Sequence, residues 1–153
     1  YTTSSTTLPY AAWSLGFPPQ LINTIYGAAK IYDTRAGNDP DFPDELHNDE
    51  ELNKIGLEGK EIGTTTGRTR TVNWLNMDKL IKSINMTGST VIIISKVDIL
   101  KNVNIFKLIT HNVIIHFKTI ADIMTYITET LHKKCSLVTK VIFSDSPEHI
   151  TIN

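Results

Sequence analysis

The run Val91-Ile92-Ile93-Ile94 restricts the fold more than any other feature: four consecutive apolar β-branched residues without polar alternation. A strand with one wet face alternates apolar and polar residues, so an unbroken run calls for cover on both faces. That is the setting of a central strand in a mainly parallel sheet flanked by helices. Ser95-Lys96-Val97-Asp98 follows at once, at the carboxyl end of that strand, where open α/β sheets bind ligands.

The flanking segments read as mixed helix and strand. Leu21, Ile22, Ile25, Ala28 and Ala29 recur at helical spacing after Pro18-Pro19, predicting a helix there. Residues 30–36 read as a strand ending at Gly37. The acidic, Pro- and Asn-rich stretch 37–60 reads as a long solvated loop with one short helical turn. Asn76 reads as a helix cap, Leu80, Ile81 and Ile84 as the helix's apolar face, and Gly88 as its stop. Residues 104–109 and 113–117 flank His111-Asn112 as a hairpin. Thr119 caps a helix carrying Ile120, Ile123, Met124, Ile127 and Leu131 on one side, with Lys133 and Lys134 at its end. A strand over 138–143, the turn Ser144-Asp145-Ser146-Pro147 and a short strand over 149–152 complete the chain. The class is α/β.

Composition removes several functions. With 153 residues and a net charge of -1, no global basic field draws in nucleic acid or an anionic membrane. Cys135 is alone, so there is no internal disulfide and the expected compartment is reducing. No apolar run is long enough to span a bilayer, so the expectation is a soluble, cytoplasmic protein. His47, His111, His116, His132 and His149 show no metal spacing and read as surface or packing residues, and Cys135 reads as a helix-end packing residue.

Four segments can carry chemistry. In Gly63-Thr64-Thr65-Thr66-Gly67-Arg68-Thr69-Arg70, two glycines bracket three threonines, so backbone N–H groups and hydroxyls can converge on an anion. If the end of this segment is extended, Arg68 and Arg70 lie on one side and can clamp a carboxylate or phosphate bidentately. The loop lacks the Gly-Lys-Ser/Thr ending of a P-loop, and the plainer alternative is a solvated hairpin tip. In Lys96-Val97-Asp98, the carboxylate could accept two N–H groups from one edge of guanine while the Lys methylenes cover the base. The alternative there is an exposed turn. The hydroxyl cluster of residues 3–7 could donate to a phosphate, or be a frayed end. Thr34-Arg35-Ala36-Gly37 could admit a ligand close to the backbone, or simply turn.

Taken in order, these pieces resemble the C-terminal half of the adenylosuccinate synthetase family. The matching residues are Thr3-Ser4-Ser5-x-Thr7, Tyr32-x-Thr34-Arg35-x-Gly37 and Phe42-Pro43-x-Glu45-Leu46. They continue with Gly63-x-Thr65-Thr66-Gly67-Arg68-x-Arg70, Trp74-Leu75 and Lys96-x-Asp98. The resemblance covers about Thr3 to Leu100. It implies a P-loop-NTPase-like synthetase fold, with residues 1–153 the C-terminal portion of a single domain. The substrate loop would be 63–71, and the nucleotide base region 95–98 with 144–147.

The implied reaction has GTP phosphorylate O6 of IMP, after which the amine of L-aspartate displaces that phosphate, assisted by Mg²⁺. By position, Thr64, Thr65, Thr66, Gly67, Arg68, Thr69 and Arg70 would bind aspartate, with Arg70 stabilising transferring charge. Thr3, Ala36, Gly37 and Arg68 would contact IMP. Arg70, Lys96, Val97, Asp98, Ser144, Asp145 and Ser146 would contact GTP. A homodimer is implied as well.

Three departures stand out. Thr6 replaces the family's Asn or Asp, the loop before Phe42 is one residue longer, and Ser144-Asp145-Ser146-Pro147 replaces Ser-Thr-Gly-Pro. The chain opens at Tyr1 without an initiator Met. The family's Gly-rich phosphate loop, acid and base residues and metal site belong to its N-terminal half. The expectation is therefore a fragment that is inactive alone. The alternatives are a viral relative that ligates aspartate to dGMP, and a non-catalytic nucleotide-binding half-protein.

Overall fold

A computed structural model of the chain describes residues 8–37, 39–63 and 67–146. Its centre is a three-stranded parallel sheet in the order β1 (Tyr26–Lys30), β4 (Val91–Ser95), β7 (Lys140–Phe143). The apolar run is the middle strand, with Ile92 and Ile94 buried on one face at 1% and 0% exposure and, on the other, Val91 buried and Ile93 partly buried. Tyr26 to Lys30 pair in register with Val91 to Ser95, and Val91 to Ile94 pair with Lys140 to Phe143.

The remaining strands form two antiparallel pairs, β2 (Tyr32–Arg35) with β3 (Thr71–Trp74) and β5 (Lys107–Thr110) with β6 (Val113–His116). His111 and Asn112 make the two-residue hairpin turn, both at positive φ (49° and 58°), the geometry that suits the strand twist. The architecture is mixed α/β, a parallel sheet flanked by helices, as the sequence indicates.

The helices are α1 (Leu8–Leu15), α2 (Glu50–Glu58), α3 (Met77–Thr87), α4 (Val97–Val103) and α5 (Ile120–Lys134). Asn76 caps α3 by accepting from the N–H groups of Asp78 and Lys79, and Gly88 ends it at φ 67°. Thr119 and Asp122 form a reciprocal capping box on α5, whose Ile123, Ile127 and Leu131 are buried. Buried Cys135 terminates that helix, and burial pushes its thiol pKa up, so it packs as an apolar residue.

Two readings require correction. The segment from Leu21 is not a helix. A 3₁₀ turn (Pro19–Leu21) leads through an extended segment into β1, and Leu21 is 67% exposed. The pairing with β4 overrides the apparent helical period, and Gly27 shows why small residues stand there: a Cβ on it would lie 2.9 Å from Ser89 Oγ and 3.2 Å from Ile92 Cδ1.

The stretch 37–60 is not one long loop either. It holds a 3₁₀ turn (Asp44–Asn48) and the nine-residue α2. Asp49, counted above among solvated acids, caps α2 by accepting from Glu51 N (2.9 Å) and Leu52 N (3.1 Å). Glu50 and Glu51 suit its positive end. Only Leu52 and Ile55 are buried in it, too short an apolar stripe to stand out in the sequence. The strand read over 149–152 lies outside the described residues.

Candidate functional site

The carboxyl ends of all three parallel strands carry polar groups into one neighbourhood. Lys30 ends β1, Lys96 follows β4 and Ser144 follows β7. Ser144 N donates to Ile94 O (2.8 Å) and Val97 N donates to Ser144 O (3.2 Å). These bonds bring the sequence-distant segments 95–98 and 144–146 together. Lys96 adopts left-handed φ (67°) just before α4, Val97 is buried at 2% exposure and Asp98 sits in the helix's first turn. Asp145 is exposed and pairs with Lys101 at 3.5 Å, while Ser144 Oγ donates to Ser146 O (2.8 Å).

The Thr/Gly/Arg segment reaches the same end of the sheet as an arm. Ile62 and Thr69 bridge in antiparallel fashion. Gly63 N donates to Arg68 O (2.8 Å) and Gly67 N to Gly63 O (2.8 Å), while Arg70 N donates to Glu61 O (2.9 Å). Gly67 turns the chain at φ 64°, a conformation that disfavours a side chain. Arg68 and Thr69 are exposed and Arg70 is partly buried. Thr64, Thr65 and Thr66, like Thr3 and Pro147, lie outside the described residues.

At the base of the arm stands Glu61, which the motif search passed over. Its side chain is 3% exposed. Lys30 Nζ donates to both carboxylate oxygens at 2.8 Å, Tyr32 Oη to Oε1 at 2.8 Å, and Arg70 Nη1 to Oε2 at 3.2 Å. Lys96 Nζ lies 3.9 Å from Oε1 and donates to Gly59 O at 2.9 Å. Three cations thus surround one buried carboxylate, an excess of positive charge suited to an anion.

Burial by itself would raise the Glu61 pKa. The hydrogen bonds from Lys30 and Tyr32, and the charges of Lys30 and Lys96, outweigh it and hold the carboxyl below the ordinary value. The Tyr32 phenol is pushed up by burial, by its bond to Glu61, and by the charges of Glu61 and Asp98, so it stays protonated and donates to Glu61. Gly59 allows this packing, since a Cβ there would sit 2.3 Å from Tyr32 Oη.

Beside the arm, a cavity of about 560 Å³ opens between α2 and β3, with Leu57, Ile62, Arg70 and Val72 in its lining. Gly37 (φ 93°) follows β2, and Arg35 pairs with Asp39 at 3.2 Å. A second hollow nearby is lined by Gly37, Asp39, His47 and Thr69. His47, His111, His116 and His132 are exposed. Among the described residues, no group of three or more His, Cys, Asp or Glu side chains is placed to hold a metal ion, and no helix is long and apolar enough to cross a membrane.

The adenylosuccinate synthetase family model matches residues 1–142, most of the chain. The chain belongs to the adenylosuccinate synthetase family. It is 39% identical over 111 residues to the adenylosuccinate synthetase of Petrotoga mobilis, covering 72% of this chain and 26% of that protein. It is 42% identical over 99 residues to that of Komagataella phaffii, covering 65% and 23%.

A solved structure of fully ligated adenylosuccinate synthetase from Plasmodium falciparum superposes with a TM-score of 0.57 and 30% identity, over 65% of this chain and 23% of that one. The chain therefore spans about a quarter of the length of the adenylosuccinate synthetases it matches. Of the residues singled out by motif, Arg70, Lys96, Val97, Asp98 and Ser144 gather at one end of the sheet. Ala36 and Gly37 lie at the end of β2, next to the second hollow. Glu61 and Lys30 were missed because single charged residues carry no spacing signature, and Tyr32 stood in a matched motif without a role. The Gly59 and Gly63 flanks of Glu61 were the only local signal.

Proposed function

We propose that this chain is the C-terminal part of an adenylosuccinate synthase, a carbon–nitrogen ligase of purine nucleotide biosynthesis that joins L-aspartate to IMP at the expense of GTP. The observation that carries the reading is the convergence on Glu61. Arg70 of the arm pairs with it, and Lys96 of the base turn lies within 3.9 Å of it. An amino-acid carboxylate on the arm and the GTP donor on the turn would then bind at the same end of the sheet, while the purine that the aspartate amine attacks is IMP, contacted by other residues.

In this reading Thr64, Thr65, Thr66, Gly67, Arg68, Thr69 and Arg70 bind aspartate, and Arg70 also stabilises charge on the transferring phosphoryl group. Thr3, Ala36, Gly37 and Arg68 contact IMP. Lys96, Val97, Asp98, Ser144, Asp145 and Ser146 frame the GTP base, with the Asp98 carboxylate accepting from guanine N–H groups. These residues bind and orient. In this reading the Mg²⁺ ligands, with the acid and base groups, belong to other parts of the synthetase. Residues 1–153 are read as part of one synthetase domain, acting in the cytoplasm as a homodimer.

The test is turnover by the full reading frame that carries this chain. GTP- and aspartate-dependent consumption of IMP is expected, with dGMP assayed in parallel. Absence of turnover with either nucleotide sinks the proposal, and turnover with dGMP alone replaces IMP as the acceptor.

A further inference from the structure

Glu61 is the one charged side chain that is buried among the described residues. A carboxylate in that position costs free energy unless its lone pairs are satisfied and its charge is balanced. Here each partner comes from a different element: Lys30 from the end of β1, Tyr32 from β2 and Arg70 from the arm. The grip on Arg70 is double, since the Glu61 carbonyl accepts the Arg70 N–H (2.9 Å) and the Glu61 carboxylate accepts Nη1 (3.2 Å). Among the described residues, the side-chain hydrogen bonding of Arg70 is to Glu61 through Nη1, so the rest of the guanidinium edge is available to a ligand. Lys96 is tied to the same corner through the carbonyl of Gly59, the residue that packs against the Tyr32 hydroxyl.

We propose that Glu61 is a positioning residue that sets the Arg70 guanidinium and links it to Lys96, coupling the amino-acid clamp to the nucleotide-base turn. The inference rests on the ligand assignments of the preceding proposal. Its sign separates it from simpler roles. Glu61 is an anion beside a site for an anion, so if its charge acted only at a distance, neutralising it would tighten carboxylate binding. If it only stabilised the fold, neutralising it would lower the melting temperature and leave the KM values of the folded protein alone. As a positioning residue it holds Arg70 in register, and its loss weakens aspartate binding despite the more favourable field.

The experiment compares the wild-type full-length protein with Glu61→Gln and Tyr32→Phe, measuring kcat, KM for aspartate and GTP, melting temperature, and direct aspartate binding. Glu61→Gln is expected to raise KM for aspartate by on the order of tenfold, with a smaller rise for GTP, because a misplaced guanidinium loses its bidentate geometry. Tyr32→Phe keeps the carboxylate and removes one neutral donor. It should fold if Glu61→Gln does not, and should shift the same constants in the same direction by about two- to threefold. An unchanged or lowered aspartate KM in the folded variants overturns the inference while leaving the proposed function standing. A wild-type protein that neither binds nor turns over aspartate overturns both.

Discussion

The two halves of the site are held in different ways. The base turn, Lys96-Val97-Asp98 with Ser144, is fixed by the backbone. Ser144 bonds to Ile94 and Val97, and Val97 is buried in the core. The arm, described at residues 61–63 and 67–70, is held by local backbone bonds and by one charged hub whose cations are each about one-third exposed, Lys30 at 27%, Arg70 at 34% and Lys96 at 36%. Main-chain geometry of the first kind survives most side-chain changes at the surface. Geometry of the second kind has its own backbone bonds, but its side-chain tie to the sheet depends on a single ionised group. The base turn should therefore behave as part of the core, and the arm as a component that can be detuned without unfolding the sheet.

The largest expected effect is at Gly59. Alanine would place a Cβ 2.3 Å from Tyr32 Oη and 3.0 Å from the Ile55 carbonyl, so Tyr32 must withdraw from Glu61. We expect a loss of about 1–3 kcal/mol in chemical denaturation, the usual cost of overpacking. Aspartate binding should weaken with it. A stable variant with wild-type aspartate binding would show that the arm does not depend on the Tyr32–Glu61 contact.

An intermediate effect is expected from pH. The folded Glu61 pKa is depressed, so its contribution to stability is complete above the ordinary glutamate range and is lost as pH falls through the lower folded value. Melting temperature followed on descending pH should therefore show a limb in the wild type that is missing in Glu61→Gln. Identical profiles would remove Glu61 as the ionised hub.

The smallest effect belongs to the rim of the base turn. Lys101 and Asp145 form an exposed pair at 3.5 Å, and such pairs contribute about 0–1 kcal/mol. Lys101→Met should change the unfolding free energy by less than about 1 kcal/mol and leave aspartate binding unchanged. A larger loss would mean that the turn, like the arm, relies on charge.

The sequence was legible where the physics is local. Four β-branched residues in a row need cover on both faces, which made β4 central. Asn76 and Gly88, and Thr119 with Lys133 and Lys134, act on helix-end groups within a few residues, so α3 and α5 could be read with their ends. His111-Asn112 marked the hairpin for the same reason. Gly63 to Arg70 and Lys96-x-Asp98 were found because small residues and paired charges at fixed spacing are a pattern.

Other features were decided only by tertiary structure. β1 is a strand because β4 offers it a ladder, despite residues that repeat at helical spacing. α2 forms on an Asp49 cap and two buried side chains within a stretch whose composition suggests loop. The Glu61 hub joins residues 31 and 29 positions away, Lys30 and Tyr32, to Arg70 on its own arm. Burying one carboxylate is favourable only where several chain segments meet to supply its donors, and that meeting is a property of the folded molecule.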